Sequence, residues 1–139
     1  PRSNIIIGAP IIIFDLGTAT TISVVDKNNN YIGGVIMPGM GISLNAMVSG
    51  TSQLPRISIE EPKKIIGSNT VDCMKSGILY GTASSMDGMI ERIKEEIGEA
   101  KVVATGGLAS TVVPHCKNDI ILDDELLLKG LMIIYNKNI

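Results

Sequence analysis

Aromatic residues are nearly absent from this sequence: among 139 residues there is no tryptophan, one phenylalanine and three tyrosines. Proteins that bind single-stranded nucleic acids stack the bases on aromatic side chains, which are too few here. The net charge of −2 also provides no basic surface for a phosphate backbone or an anionic membrane. The composition therefore argues against a nucleic-acid or membrane partner and predicts a core of aliphatic side chains and methionine.

Cysteine and histidine are equally scarce. Cys73 and Cys116 belong to no CxxC pair, and the single histidine, His115, has no partners that would complete a catalytic triad or a zinc site. No apolar run approaches the roughly 18 residues of a membrane span, and we expect no signal peptide before the first strand. The sequence thus predicts a cytoplasmic protein with reduced thiols, in which His115 is a surface or loop residue.

The most informative stretch is residues 11–26, IIIFDLGTATTISVVD. Its pattern predicts a buried strand, a tight turn and a second strand. The amides of a turn at Gly17, with the Thr18 hydroxyl, can form an anion-binding concavity, and Asp15 beside it can hold the cation that bound phosphate requires. The alternative is a plain hairpin in which these side chains satisfy turn backbone.

The remaining pattern predicts alternating strands and helices. Asn69 and Asp72 form a predicted N-cap pair, so that Thr70 begins a long amphipathic helix. Ile57 and Ile59 alternate as in a short edge strand. The other predicted elements are strands at 11–15, 20–26, 31–37 and 101–105, helices at 42–53, 70–97 and 109–113, and a terminal helix that opens at Asp123.

Two glycine pairs stand out along this order. Gly77 and Gly81 lie four residues apart on the long helix, where they suit tight packing or a subunit contact. Gly106 and Gly107 follow a strand and open a helix, so that bare backbone could receive a flat ring or a sugar. An ordinary strand-to-helix loop is the alternative.

The predicted order β-β-β-α-(α)-β-α indicates an α/β protein. It is the order of one ribonuclease-H-like lobe, as in the actin-like ATPases, with three antiparallel strands in a mixed sheet and helices on both faces. Fold alone does not settle a function.

Four motifs in the same order resemble type III pantothenate kinases. They are Asp15-Leu-Gly-Thr-Ala-Thr-Thr21, Gly33-Gly-Val-Ile-Met-Pro-Gly39, Ile66-Gly-Ser-Asn-Thr70 and Ala104-Thr-Gly-Gly-Leu-Ala109. Such enzymes transfer the γ-phosphoryl group of ATP to pantothenate, the first step of coenzyme A synthesis. The resemblance implies a cytoplasmic homodimeric kinase that uses ATP, Mg²⁺ and potassium or ammonium.

The resemblance also implies roles for particular residues. Asp15 would bind the monovalent cation, and Gly17 and Thr18 would contact ATP phosphate. Thr70 would hydrogen-bond pantothenate. Gly106 and Gly107 would lie against the adenosine.

This sequence departs from the family pattern because it has no match to the family's N-terminal lobe. Family members begin with another lobe that carries an Asp-x-Gly-Asn-Thr loop and a Gly-x-Asp-Arg motif, whose aspartate is the general base. Neither motif occurs here, so residues 10–139 resemble the C-terminal lobe, with 1–9 as an N-terminal remnant. Phosphoryl transfer needs groups on both sides of the phosphate and a base, so we expect no catalytic residue in this chain and no activity from it alone.

Two other functions stay open. One is a non-catalytic nucleotide-binding or regulatory module, because some relatives were described as accessory factors to transcription. The other is a different actin-like kinase, for acetate or a sugar, against which the spacing of Gly67 and Thr70 argues.

Overall fold

A computed structural model describes residues 9–51 and 53–123. The strands are β1 (Ile11–Leu16), β2 (Ala19–Val25), β3 (Tyr31–Pro38), β4 (Lys101–Thr105) and β5 (Ile121–Leu122). The helices are α1 (Met40–Gly50), α2 (Thr70–Ile97) and α3 (Ala109–Val112), followed by a 3₁₀ turn, Val113–His115.

All five strands form one mixed sheet in the order β3-β2-β1-β4-β5. β2 pairs antiparallel with both β1 and β3, whereas β4 pairs parallel with β1 and β5. The three predicted antiparallel strands are therefore confirmed, to within one residue at each end. β5 was not predicted because two residues are too short for any periodicity.

One face of the sheet carries the larger core. Alternate side chains of β1 point to this face, namely Ile12, Phe14 and Leu16, and all are buried. α1, α2 and α3 all contribute to the same cluster, including Leu79, Met86 and Ile90 from α2. The predicted amphipathic pattern of the long helix is confirmed from Met86 to Ile93: Met86 and Ile90 are buried in the core, and Met89 and Ile93 pack against it.

The opposite face carries a smaller buried cluster of Ile11, Ile13, Val25 and Val103. None of the helices within residues 9–51 and 53–123 packs there. The predicted terminal helix from Asp123 onward and most of the remnant at 1–9 lie outside the described residues, so helices on this second face stay a prediction.

The helix predicted at 42–53 has different bounds in the structure. α1 begins two residues earlier, at Met40, because the extended residue before it, Gly39, acts as the N-cap. It ends at Gly50, where the Thr51 hydroxyl donates to the Met47 carbonyl and accepts from the amide of Leu54.

The edge strand predicted around Ile57 and Ile59 does not form. Both side chains instead pack against the main core from irregular chain. Pro55 and Pro62 lack the amide protons that a strand ladder would need.

Candidate functional site

The turn between β1 and β2 brings Asp15 next to Gly17. Asp15 is exposed, and a Cβ built on Gly17 would lie 3.7 Å from the Oδ1 atom of Asp15. No described residue donates a hydrogen bond to this carboxylate or forms an ion pair with it. The Asp15 carboxylate and the exposed Thr18 therefore face solvent at the end of a buried strand, where both can receive a ligand.

Asp15 has a threonine on either side of it in the sheet. Its Cα is in register with that of Thr21 on β2 and with that of Thr105 on β4. Directly paired residues point to the same face of a sheet, so two hydroxyls flank one carboxylate. Such a row of oxygen atoms has the chemistry of a site for a hard cation.

Gly39 fixes the turn against the start of α1. A Cβ at Gly39 would lie 2.9 Å from the carbonyl oxygen of Gly17 and would also collide with that of Thr18. Only a glycine permits this approach, because every other residue would push the turn away. The second motif, which ends at Gly39, therefore holds the first in place.

The turn after β4 meets the same edge of the sheet. Gly106 has a φ of +104°, and a Cβ there would lie 2.6 Å from the carbonyl oxygen of Leu16. Gly107 is exposed, and a Cβ there would meet no atom within 4 Å. One glycine thus closes the turn onto β1, and the other presents bare backbone to solvent.

Thr70 lies in a different place, a cleft of about 750 Å³ between α1 and α2. Ser43 and Met47 line one wall, and Thr70, Cys73 and Gly77 line the other. The structure therefore brings together the sites predicted at Asp15, Gly17, Thr18, Gly106 and Gly107, and leaves Thr70 outside that group.

The loop before α2 is held so that Thr70 opens into the cleft. The side-chain oxygen of Asn69 accepts from the amide of Asp72 at 2.9 Å, which confirms the predicted cap. A Cβ on Gly67 would lie 2.8 Å from the carbonyl carbon of Asp72. Buried Ser76 donates to the carbonyl of Ile65. These contacts tie both ends of the loop to the first two turns of the helix.

α1 links the turn to the cleft. Its first hydrogen bond runs from the amide of Ser43 to the carbonyl of Gly39 at 2.9 Å. Gly39 touches the β1–β2 turn, whereas Ser43 lines the cleft only about 6 Å further along the helix. A ligand bound at the turn and a ligand in the cleft would therefore both lie beside the N-terminal end of α1.

The sequence did not identify Thr21 and Thr105 as neighbours of Asp15, nor Ser43 and Met47 as residues of the cleft. Thr105 could have been found, because parallel neighbouring strands end at the same edge of a sheet. The cleft residues give no such signal, since they meet only when α1 packs on α2.

His115, which was predicted to be a surface or loop residue, ends the 3₁₀ turn Val113–His115. It is half-buried and packs edge-on against Tyr80, with ring centroids 5.2 Å apart. Both cysteines are free. Within residues 9–51 and 53–123, no three His, Cys, Asp or Glu side chains gather as a metal cluster. None of the helices in that part is long and apolar enough to cross a bilayer.

The sheet order, in which only β2 is antiparallel, and the helices that follow it define a ribonuclease-H-like lobe of the actin-like ATPase class. Residues 3–92 match the family model described as type III pantothenate kinase. The chain belongs to the type III pantothenate kinase family.

Curated relatives agree with this assignment. The chain is 46% identical to the type III pantothenate kinase of Halalkalibacterium halodurans over 133 residues, covering 95% of this chain and 52% of that protein. It is 46% identical to the enzyme of Rubrobacter xylanophilus, covering 94% and 52%. The chain therefore spans about half the length of the curated relatives it matches.

Two solved structures share the fold. One is a protein named as a Baf family transcriptional activator from Campylobacter jejuni, with a TM-score of 0.56, 22% identity and coverage of 91% of this chain and 57% of that one. The other is the ethanolamine utilization protein EutJ from Carboxydothermus hydrogenoformans, with a TM-score of 0.52, 18% identity and coverage of 95% and 51%. At these identities the likeness concerns the fold alone.

Proposed function

We propose that this chain is the ATP- and cation-binding lobe of a longer protein that phosphorylates pantothenate to 4′-phosphopantothenate, the first step of coenzyme A synthesis. The observation that carries the proposal is the convergence of the Gly17–Thr18 turn, Asp15 and the Gly106–Gly107 turn at one edge of the sheet. Residues 10–139 would form this lobe, and the other half of the relatives' length would supply the opposing lobe. The reaction would take place in the cytoplasm, where ATP is available.

The β1–β2 turn would hold the ATP phosphates. Amide groups of the turn and the hydroxyl of Thr18 can donate to phosphate oxygens, and Gly39 keeps those donors fixed before the ligand arrives. Gly107 would offer open backbone to the adenosine, next to Gly106. This arrangement binds and orients the nucleotide, which is most of what phosphoryl transfer requires of a protein.

Asp15 would hold potassium or ammonium beside the terminal phosphate. Its exposed carboxylate has no donor among the described residues and lies in register with Thr21 and Thr105, so the residues present suit a monovalent cation. The cation would supply positive charge between the carboxylate and the phosphate. Mg²⁺ would enter with the nucleotide, whose oxygens are its usual ligands.

Pantothenate would bind in the cleft between α1 and α2, with Thr70 as a hydrogen-bonding partner. The cleft combines hydroxyl groups at Ser43 and Thr70 with apolar side chains at Met47 and Ile78. Pantothenate carries two hydroxyls and an amide around a dimethyl-substituted carbon, and this part of the molecule matches the lining. Its carboxylate would extend past the lining residues, none of which is cationic. Because the N-terminal end of α1 borders both the turn and the cleft, pantothenate in the cleft would lie beside the phosphates.

A homodimer is proposed for the longer protein. Ile65 and Ile66, in the loop beside the cleft, are 66% and 76% exposed. Contiguous exposed apolar surface, to which two consecutive isoleucines contribute, marks interaction sites more often than single exposed apolar side chains do. Sedimentation of the longer protein tests this: a dimer that Ile66→Glu converts to a monomer is expected, and a monomeric wild type would contradict it.

A coupled assay tests the proposed reaction. The longer protein, supplied with ATP, Mg²⁺ and potassium, is expected to consume ATP only when pantothenate is present. The 139-residue chain alone is expected to be inactive, because none of its three arginines follows an aspartate and so the general-base motif is absent. Pantothenate-dependent turnover by the chain alone would refute the assignment of the base to the other half.

The competing function is a non-catalytic nucleotide-binding module. Calorimetry of the longer protein with ATP and pantothenate separates the two. Binding of ATP without any binding of pantothenate or any turnover would favour the regulatory module.

A further inference from the structure

One wall of the cleft between α1 and α2 has a position without a side chain. Gly77 lines the cleft on α2, four residues after Cys73 and seven after Thr70, and so lies on the same side of the helix as both. A Cβ built on Gly77 would meet no atom within 4 Å. The space beside Gly77 therefore belongs to the cleft and not to the core.

Packing does not account for this glycine. The sequence offered tight packing or a subunit contact as explanations of Gly77 and Gly81. Within the described chain neither Cβ position has an atom within 4 Å, which removes the first explanation and leaves the second untested. Both therefore differ from Gly67, which is pressed against the start of α2. A glycine in a helix interior weakens the helix, because it gains the most backbone freedom on unfolding. The lack of a side chain at Gly77 leaves open space in the cleft beside Thr70.

We propose that Gly77 is a specificity-determining residue, whose missing side chain sets the size of the acceptor substrate that the cleft admits. The inference rests on the proposed function, because it takes the cleft as the acceptor site. Thr70 would recognise the polar groups of the acceptor, and Gly77 would leave room for its branched apolar part. A Cβ at residue 77 would meet no described atom and would lie in the cleft, so we expect a substitution there to act on substrate binding and not on folding.

Gly81 provides a matched control on the same helix. It lies one turn beyond Gly77, its Cβ position is also open, and it does not line the cleft. The variants Gly77→Leu, Gly77→Ala and Gly81→Leu are made in the longer protein, and helix content is checked by circular dichroism. All three replace a helix glycine with a better helix former, so the two leucine variants differ only in position and the two variants at residue 77 differ only in side-chain size.

Steady-state kinetics gives the main result. Gly77→Leu is expected to raise KM for pantothenate about tenfold or more while KM for ATP stays within about twofold, and Gly77→Ala should fall between this variant and wild type. Gly81→Leu should match the wild type. Equal KM values for pantothenate in wild type and folded Gly77→Leu would overturn the inference and leave the proposed function intact. A wild-type protein without pantothenate-dependent turnover would overturn both.

Alkylation of Cys73 reports on the cleft without turnover. Cys73 is exposed and lines the same wall as Gly77, whereas burial, together with the charge of Asp87, raises the pKa of the Cys116 thiol to about 11 and makes it a slow internal reference. Mass spectrometry of the tryptic peptide 65–75 follows labelling by iodoacetamide. Pantothenate is expected to slow labelling in wild type and Gly81→Leu but not in Gly77→Leu. Equal protection in all three proteins would overturn the inference.

Discussion

Gly106 lies directly against the backbone of Leu16, so that the turn after β4 closes onto the end of β1. A Cβ at Gly106 would lie 2.7 Å from the amide nitrogen of Leu16 and 2.6 Å from its carbonyl oxygen. Because Asp15 precedes Leu16 and Thr105 precedes Gly106, this contact also fixes the register of the two side chains proposed to flank the cation.

Gly106→Ala is expected to destabilise the fold by about 2–4 kcal/mol. The substitution combines a positive φ with a collision against main-chain atoms that have no rotamer to move into. Urea unfolding of the variant measures the loss. Gly107→Ala is the control, since its Cβ position is open, and it should stay within about 0.5 kcal/mol of wild type. Equal stability of the two variants would contradict the close contact.

Gly39→Ala is expected to weaken ATP binding. The added methyl group would push the carbonyl groups of Gly17 and Thr18 away and so move the amides of the turn. Calorimetry with ATP should show a loss of about tenfold or more, in the range of one misplaced donor. Gly41→Ala, in the first turn of the same helix and with an open Cβ position, should bind ATP as wild type does. Unchanged affinity in Gly39→Ala would argue against the turn as the phosphate site.

Asn69→Ala is expected to cost about 1 kcal/mol of stability, because the amide of Asp72 loses its capping partner. The loop that presents Thr70 should loosen with it, so KM for pantothenate should rise while KM for ATP does not change. Asn69→Ser can restore the cap and is expected to recover both properties. If the serine variant behaves like the alanine variant, the cap does not position Thr70.

Asp87 should make stability depend on acid pH. Partial burial raises the pKa of this carboxyl, but hydrogen bonds from the Asn118 side chain and from the amides of Lys117 and Asn118, with the charge of Lys117, outweigh burial and lower it. A lowered pKa means that the stabilisation is fully present above the unfolded value of about 3.9 and is lost as pH falls through the folded value.

The variant Asp87→Asn removes this dependence. It should unfold more easily than wild type at pH 7, by about 1 kcal/mol because solvent screens this partly exposed group, and by a smaller margin at pH 3. Chemical denaturation at the two pH values measures the difference. Glu91→Gln, an exposed change on the same helix, serves as the control. A margin for Asp87→Asn that is equal at both pH values would contradict the carboxylate's role.

The sequence predicted those parts of the fold in which local pattern and packing agree. The run from Ile11 to Leu16 and the N-cap at Asn69 carry strong local signals, so β1 and the start of α2 were placed to within a residue. Ile57 and Ile59 alternate like a strand, but no neighbouring strand offers them a ladder, and tertiary packing decided the outcome.

The sequence could identify candidate site residues only where they lie together in one contiguous motif. The turns that follow the predicted strands indicated four of them: Asp15, Gly17, Gly106 and Gly107. The cleft formed by α1 and α2 could not, because Ser43 and Gly77 are far apart in sequence and meet only through helix packing. The closeness of Gly39 to the turn is likewise a product of the antiparallel register between β2 and β3.

Calorimetric titration of ATP into the longer protein, in potassium chloride and in tetramethylammonium chloride, tests the cation site most directly. Potassium is expected to tighten ATP binding about tenfold in the wild type, because positive charge beside Asp15 offsets the repulsion between carboxylate and phosphate. In Asp15→Asn, which keeps the shape and removes the charge, the potassium effect should disappear. An equal potassium effect in both proteins would show that Asp15 does not hold the cation.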